Sequence, residues 1–267
     1  MCGRFTSTAT TDELMRRFGV TILQNLRPRW NIAPSQNSMV LVRDGLHLQA
    51  KTAAWGLPPT GPNKSFLINA RMETVREKPT FRDAFSLSRC IVVASGWYEW
   101  SAPKTPWHIQ LSDGGVMAMA GLLFQQGSQS RFVIMTSAAD GKLAEIHHRQ
   151  PLVLAAGTEM QWLGGTADQA ANYCEIAPAS WFNWYRVAPD VGKAGIDHPG
   201  LVTPLEGDAL LPAKPDQGRF IRLDFVDCGF ANQNAVNMPK HQRARAAIGT
   251  PCLTKRFQHF AIWPFIQ

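Results

Sequence analysis

Short apolar runs bounded by turn residues recur along the first 205 residues of this chain, and they predict strands more often than helices. Met39-Val40-Leu41-Val42 and Leu46-His47-Leu48-Gln49-Ala50 flank Asp44-Gly45, which predicts a β-hairpin with a type I′ turn. Ile91-Val92-Val93-Ala94 reads as a buried strand continuing through Gly96-Trp97-Tyr98-Glu99-Trp100. Two further strands over residues 107–111 and 116–120 surround Asp113-Gly114-Gly115, a second predicted hairpin. Residues 132–136 and 152–154 add two more strands. Helical signals are few. Thr10 and Glu13 have capping-box spacing ahead of Leu14 and Phe18, and a short helix is expected over residues 141–147. Pro58, Pro59, Gly61, Pro62 and Asn63 mark residues 58–65 as a loop. This pattern predicts an α+β fold, with an antiparallel, barrel-like β core and peripheral short helices.

Composition divides the chain. The character shifts near residue 205, so a folded domain is expected over 1–205 and a basic extension over 206–267. From Cys228 onward there are Lys240, Arg243, Arg245, Lys255 and Arg256, with no Asp or Glu. The whole chain of 267 residues carries a net charge of +7, which favours a polyanionic partner. The five cysteines are odd in number and have no CxxC spacing, which argues against a disulfide framework or structural zinc. No metal or other cofactor is expected. No basic-then-apolar leader and no apolar run of about 18 residues occurs, so a cytoplasmic monomer without a membrane span is expected.

Four stretches carry candidate chemistry. Cys2 becomes the N-terminus if Met1 is removed, and then one residue holds both a free amine and a free thiol. Such a 1,2-aminothiol condenses with an aldehyde to an imine, and the thiol closes a thiazolidine ring. The amine titrates at roughly 7.7–8.0 and the thiol near ~8.5, with nearby cations such as Arg4 expected to lower the thiol. In Asn69-Ala70-Arg71, an extended backbone puts the amide and the guanidinium on one face, a pairing suited to a sugar oxygen and a phosphate. Glu99, between aromatic residues, is a candidate for a raised pKa and for general acid–base work. His147-His148-Arg149 combines a proton carrier with another phosphate-capable fork.

Taken in order, six motifs resemble those of the SOS-response-associated peptidase family of abasic-site processing proteins. They are Met1-Cys2-Gly3-Arg4, Trp30-Asn31-Ile32-Ala33-Pro34, Ala54-Trp55-Gly56-Leu57, Asn69-Ala70-Arg71-Met72-Glu73-Thr74, Gly96-Trp97-Tyr98-Glu99-Trp100 and His147-His148-Arg149-Gln150-Pro151. The resemblance covers residues 1–205. It implies the fold of that family, binding of single-stranded DNA, and covalent crosslinking of Cys2 to abasic sites after Met1 is lost. It makes Cys2 the nucleophile, Asn69, Glu99 and His147 its supporting catalytic residues, and Arg4, Arg71 and Arg149 the phosphate contacts. Trp55 and Trp97 are expected to stack flanking bases. Removal of Met1 by the protein itself and strand cleavage by β-elimination are expected accompaniments. The chain departs from the pattern at a shortened tract after Trp55-Gly56, at Ser95 in place of Asp, and at Gln150 in place of Met or Arg. Two other readings use the same residues: an N-terminal-nucleophile hydrolase of amides, and a single-strand-binding module in which Cys2 is incidental.

Overall fold

A computed structural model describes residues 2–20, 26–61 and 65–208. In chain order the elements are β1 (Arg4–Ser7), α1 (Thr11–Phe18), β2 (Arg29–Ile32), β3 (Asn37–Asp44), β4 (His47–Trp55), β5 (Asn69–Arg71), α2 (Arg82–Leu87), β6 (Arg89–Ala94), β7 (Gly96–Ser101), β8 (Thr105–Leu111), β9 (Met117–Gln126), β10 (Gln129–Ala138), α3 (Leu143–Ile146), β11 (Arg149–Pro151), α4 (Glu159–Gly164), α5 (Ala167–Ala171) and β12 (Phe182–Arg186). The expected capping box starts α1: the Thr10 side chain accepts from Glu13 N, and Glu13 reaches back to Thr10 N. Most of the predicted extension, residues 209–267, lies outside the described residues, as do residues 62–64 of the predicted loop.

The strands form two sheets. One has five strands in the order β12-β8-β7-β1-β2, antiparallel throughout. The other runs β11-β10-β4-β3-β6-β9, and a further β9–β10 pairing closes it into a ring. β5 also joins β10, in parallel, as β4 does. The architecture is the mixed α+β, mostly antiparallel one that the apolar pattern predicts. Within the ring, β6 and the first six residues of β9 are buried on both faces, which is why they read as continuous apolar runs. In β6, Cys90, Val92 and Ala94 face one apolar cluster, while Ile91 and Val93 face a second beneath the helices.

Three local expectations are corrected. The first hairpin forms, but Gly45 alone has positive φ (59°) and Leu46 does not, which rules out a type I′ turn. The apolar run 91–100 is two strands, because the chain passes from the ring to the other sheet at Ser95. There Ser95 N donates to Thr6 O, and its hydroxyl accepts from Thr8 N and Thr8 Oγ1, both at 2.9 Å. The segments at 107–111 and 116–120 do not pair: β8 lies between β7 and β12, and β9 lies between β6 and β10. Their Asp-Gly-Gly link is a crossing between sheets rather than a hairpin turn.

Gly96 opens β7 for a steric reason. A Cβ there would sit 2.3 Å from His108 Nε2 and 2.8 Å from Ile109 O. His108 fills that space, fully enclosed between Tyr98 and Tyr185. Tyr185 donates its hydroxyl proton to Val202 O, so its oxygen accepts from His108 Nδ1 at 3.0 Å. Burial drives the imidazole down to about 3. Between that value and its unperturbed ~6.5, the unfolded chain binds a proton that the native state does not. Stability therefore rises with pH across this window and is lost as pH falls through about 6.5. Urea unfolding from pH 4 to 7 is expected to show a His108 contribution of up to about 1.4 kcal/mol per pH unit. This part of the slope should vanish in His108→Asn.

Candidate active site

The N-terminal segment is held as an internal strand. β1 pairs with β7 through Arg4↔Tyr98, Phe5↔Trp97 and Thr6↔Gly96, and with β2 through Phe5↔Ile32. One further step along the β7 register brings Gly3 opposite Glu99, so Cys2 arrives beside that carboxyl. Cys2 is fully buried, and its carbonyl accepts from Asn69 Nδ2 at 3.0 Å. Its thiol lies 3.8 Å from Arg4 O. Burial pushes the thiol well above its ordinary value, and the Glu99 charge adds to the rise. This overturns the expectation that Arg4 would lower it. The Arg4 guanidinium is turned to Gly3 O at 2.9 Å and Gly192 O at 3.3 Å.

Glu99 and His147 complete the cluster. Glu99 is 3% exposed, and burial raises its carboxyl to about 7. His147 follows α3, where its backbone N–H closes the last turn on Leu143 O. Its Nδ1 is 4.0 Å from Glu99 Oε2 and lies against the Arg149 backbone, 3.0 Å from N and 3.2 Å from O. Burial lowers the imidazole from its ordinary range. Asn69 starts β5, opposite Ile134, and its neighbour Ile68 is held by the Trp55 indole N–H at 2.9 Å. Four residues distant in sequence thus meet in one place: Cys2, Asn69, Glu99 and His147. Among the described residues, no group of three or more His, Cys, Asp or Glu is arranged to hold a metal.

The other predicted residues fall differently. Arg71 is exposed at the end of β5, as a phosphate contact requires. Arg149 is 9% exposed, with both terminal nitrogens on Glu73 and one also on Thr136. A phosphate reaches it only beside or in place of Glu73. Trp55 and Trp97 are 0% and 1% exposed, so neither presents a ring face to a base. Trp55 packs between Phe5 and Phe132, and Trp97 packs edge-on against Phe182. Their expected stacking role is corrected to a core one: each faces inward on a strand whose other side is covered. Sequence reasoning missed Glu73. Its signal was the four-residue spacing from Asn69, readable only once Arg149 was known to cross β10.

The family model described as SOS response associated peptidase (SRAP) matches residues 1–194. The Abasic site processing protein YedK of Escherichia coli (strain K12) is 32% identical over 224 residues, covering 77% of this chain and all of that protein. The Abasic site processing protein YoaM of Bacillus subtilis (strain 168) is 34% identical over 179 residues, 61% of this chain and 79% of that one. A crystal structure of a protein from Bacteroides thetaiotaomicron shares the fold, with a TM-score of 0.65 at 21% identity over 76% of this chain and 99% of that one. With its N-terminal strand, Cys2 and the three residues around it inside the matched region, this chain belongs to the SRAP family.

Proposed function

We propose that this protein processes abasic sites in single-stranded DNA by forming a covalent thiazolidine through Cys2 once Met1 is removed. The convergence of Cys2, Asn69, Glu99 and His147 in one cluster, the first and third buried and the other two half-buried, carries this reading. The names of its curated relatives support the substrate.

The chemistry follows from the protonation states. The ring-opened abasic sugar presents an aldehyde. His147, neutral near pH 7, moves the proton that opens the ring. The Cys2 amine forms a C–N bond to the aldehyde carbon, giving a carbinolamine. Glu99, with a pKa of about 7, donates a proton to the carbinolamine hydroxyl, and water leaves to give the iminium. The thiol is raised and arrives protonated, so it needs a base as it adds. The carboxylate that Glu99 has just become takes that proton while the C–S bond closes. Net, aldehyde and aminothiol give thiazolidine and one water. Asn69 fixes the Cys2 backbone, so positioning supplies much of the rate. The iminium also acidifies the adjacent sugar carbon, and ring closure suppresses the strand cleavage that would follow. Arg71, and Arg4 with its partly occupied fork, supply cations for the flanking phosphates.

Intact mass spectrometry tests the core claim. Mixing with abasic single-stranded DNA is expected to give a denaturation-resistant adduct equal to protein without Met1, plus DNA, minus water. Cys2→Ala, or a chain whose Met1 is blocked from removal, should give none. An adduct in Cys2→Ala overturns the reading. The rate should fall as pH rises above about 7, because Glu99 loses the proton it donates. Glu99→Gln should be slowed at least tenfold and lack that limb. Binding of undamaged strands should weaken with salt, and Arg71→Ala should lower the log–log slope by about 0.7.

A further inference from the structure

β5 and β11 flank the same stretch of β10: Thr136 is paired with Arg71 on one side and with Pro151 on the other. β5 carries Asn69, and β11 follows directly on His147. The Arg149 side chain crosses this stretch. Its Nη2 donates to Thr136 O at 2.6 Å and lies 3.2 Å from Thr136 Oγ1. Beyond β10 it meets Glu73 in a two-pronged pair, Nη1 to Oε1 at 2.5 Å and Nη2 to Oε2 at 3.0 Å. Glu73 sits in the 3-10 turn Met72–Thr74 that continues β5. The Arg149 fork holds the Glu73 carboxyl below the usual carboxylate range. At its other end, the Arg149 backbone flanks His147 Nδ1 with N at 3.0 Å and O at 3.2 Å, so the placement of Arg149 bears on which ring nitrogen holds the proton.

We propose that Glu73 is a positioning residue for the Cys2 chemistry: through Arg149 it straps the strand edge bearing Asn69 to the edge bearing His147. The reading of Cys2 as the crosslinking nucleophile underlies the activity part of this inference. Fork-to-fork pairing fixes direction as well as distance, which a single hydrogen bond does not. Arg149 is buried and charged, so losing its partner leaves a guanidinium that must move to find another. Any such movement shifts the backbone that flanks His147 Nδ1. The acid–base balance of the ring depends on its surroundings: Glu99 at 4.0 Å, the His148 ring at 4.4 Å and Arg149 itself.

Glu73→Gln keeps the shape and removes the charge; Glu73→Asp keeps the charge at a shorter reach. Two readouts apply. The first is the crosslinking rate at saturating abasic single-stranded DNA, beside the Kd for the undamaged strand. Glu73→Gln is expected to lower the rate at least tenfold with Kd unchanged within twofold, and Glu73→Asp to recover part of the rate. A normal saturated rate in Glu73→Gln overturns the proposal, and a tighter Kd with it would make Glu73 a competitor for phosphate instead. The second readout needs no DNA. Imidazole 15N spectra of His147 should show a changed tautomer balance and titration in Glu73→Gln relative to the parent. Unchanged His147 signals overturn the strap. If the parent protein makes no adduct, the reading of Cys2 fails while this second measurement still decides the strap. If Glu73→Gln does not fold, both readouts are taken on Glu73→Asp, where parent-like rate and His147 signals overturn the proposal.

Discussion

The structure turns on the pairing of β1 between β2 and β7. Chain termini ordinarily fray, because their first residues lack neighbours on one or both sides. Here the first strand is an interior one, bonded on both edges, and Phe5 packs against Trp55 at 5.1 Å. Burying a side chain of that size contributes on the order of 1.5–3 kcal/mol. A residue two places ahead of such a strand inherits its rigidity. Asn69 then removes what freedom remains by holding the Cys2 carbonyl. A nucleophile that depends on a terminal amine needs this kind of immobilisation, since its own conformational entropy would otherwise dilute every productive encounter.

The same burial sets the electrostatics. It raises the Glu99 carboxyl to about 7 and lowers the His147 imidazole from its ordinary range, which reverses their usual order. The environment favours the neutral form of each. Near neutral pH, Glu99 is divided between its two forms while the imidazole is mostly neutral. The thiol follows the same rule and stays protonated. Activation by a neighbouring cation is therefore the wrong picture for Cys2. A carboxyl that gives one proton and takes the next fits a site in which no group carries a settled charge.

Much of this was legible in the sequence, and the limits have physical causes. The four positions that cluster at the candidate site were visible because each is an unusual residue in a short, punctuated context: Cys2 at the terminus, Asn69 before Arg71, Glu99 among aromatics, His147 after a helical turn. Strand positions were legible from apolar runs. Strand partners were not, because pairing is non-local: nothing in residues 107–120 tells that β8 and β9 part company at Asp113-Gly114-Gly115. The tryptophans misled for a related reason. An indole at a strand position reads equally as stacking surface or as core; β4 is exposed or half-buried along most of its length and buried only over Ala53, Ala54 and Trp55, where the indole packs between Phe5 and Phe132. Arg149 was legible as a charge but not as a paired one, because its partner lies across β10.

Two of the three departures from the family pattern, Ser95 and Gln150, are local hydrogen-bonding solutions. Ser95 sits at the corner where the chain leaves the ring for the other sheet, and its hydroxyl takes two bonds from Thr8 that hold the end of β1. An oxygen acceptor is what that corner needs, and serine supplies one without adding a charge. Gln150 is 1% exposed, and its amide is satisfied at both ends: Oε1 accepts from Asp140 N at 3.0 Å and Nε2 donates to Ala177 O at 2.8 Å. Asp140 in turn accepts from Ala179 N. These bonds tie the turn ahead of α3 to the segment leading into β12, from behind His147. A methionine would fill the volume and make neither bond. It would leave a backbone N–H and a carbonyl short of a partner in a place where each unmade bond costs about 1–3 kcal/mol. Gln150 therefore braces the segment that follows His147 with a bridging amide.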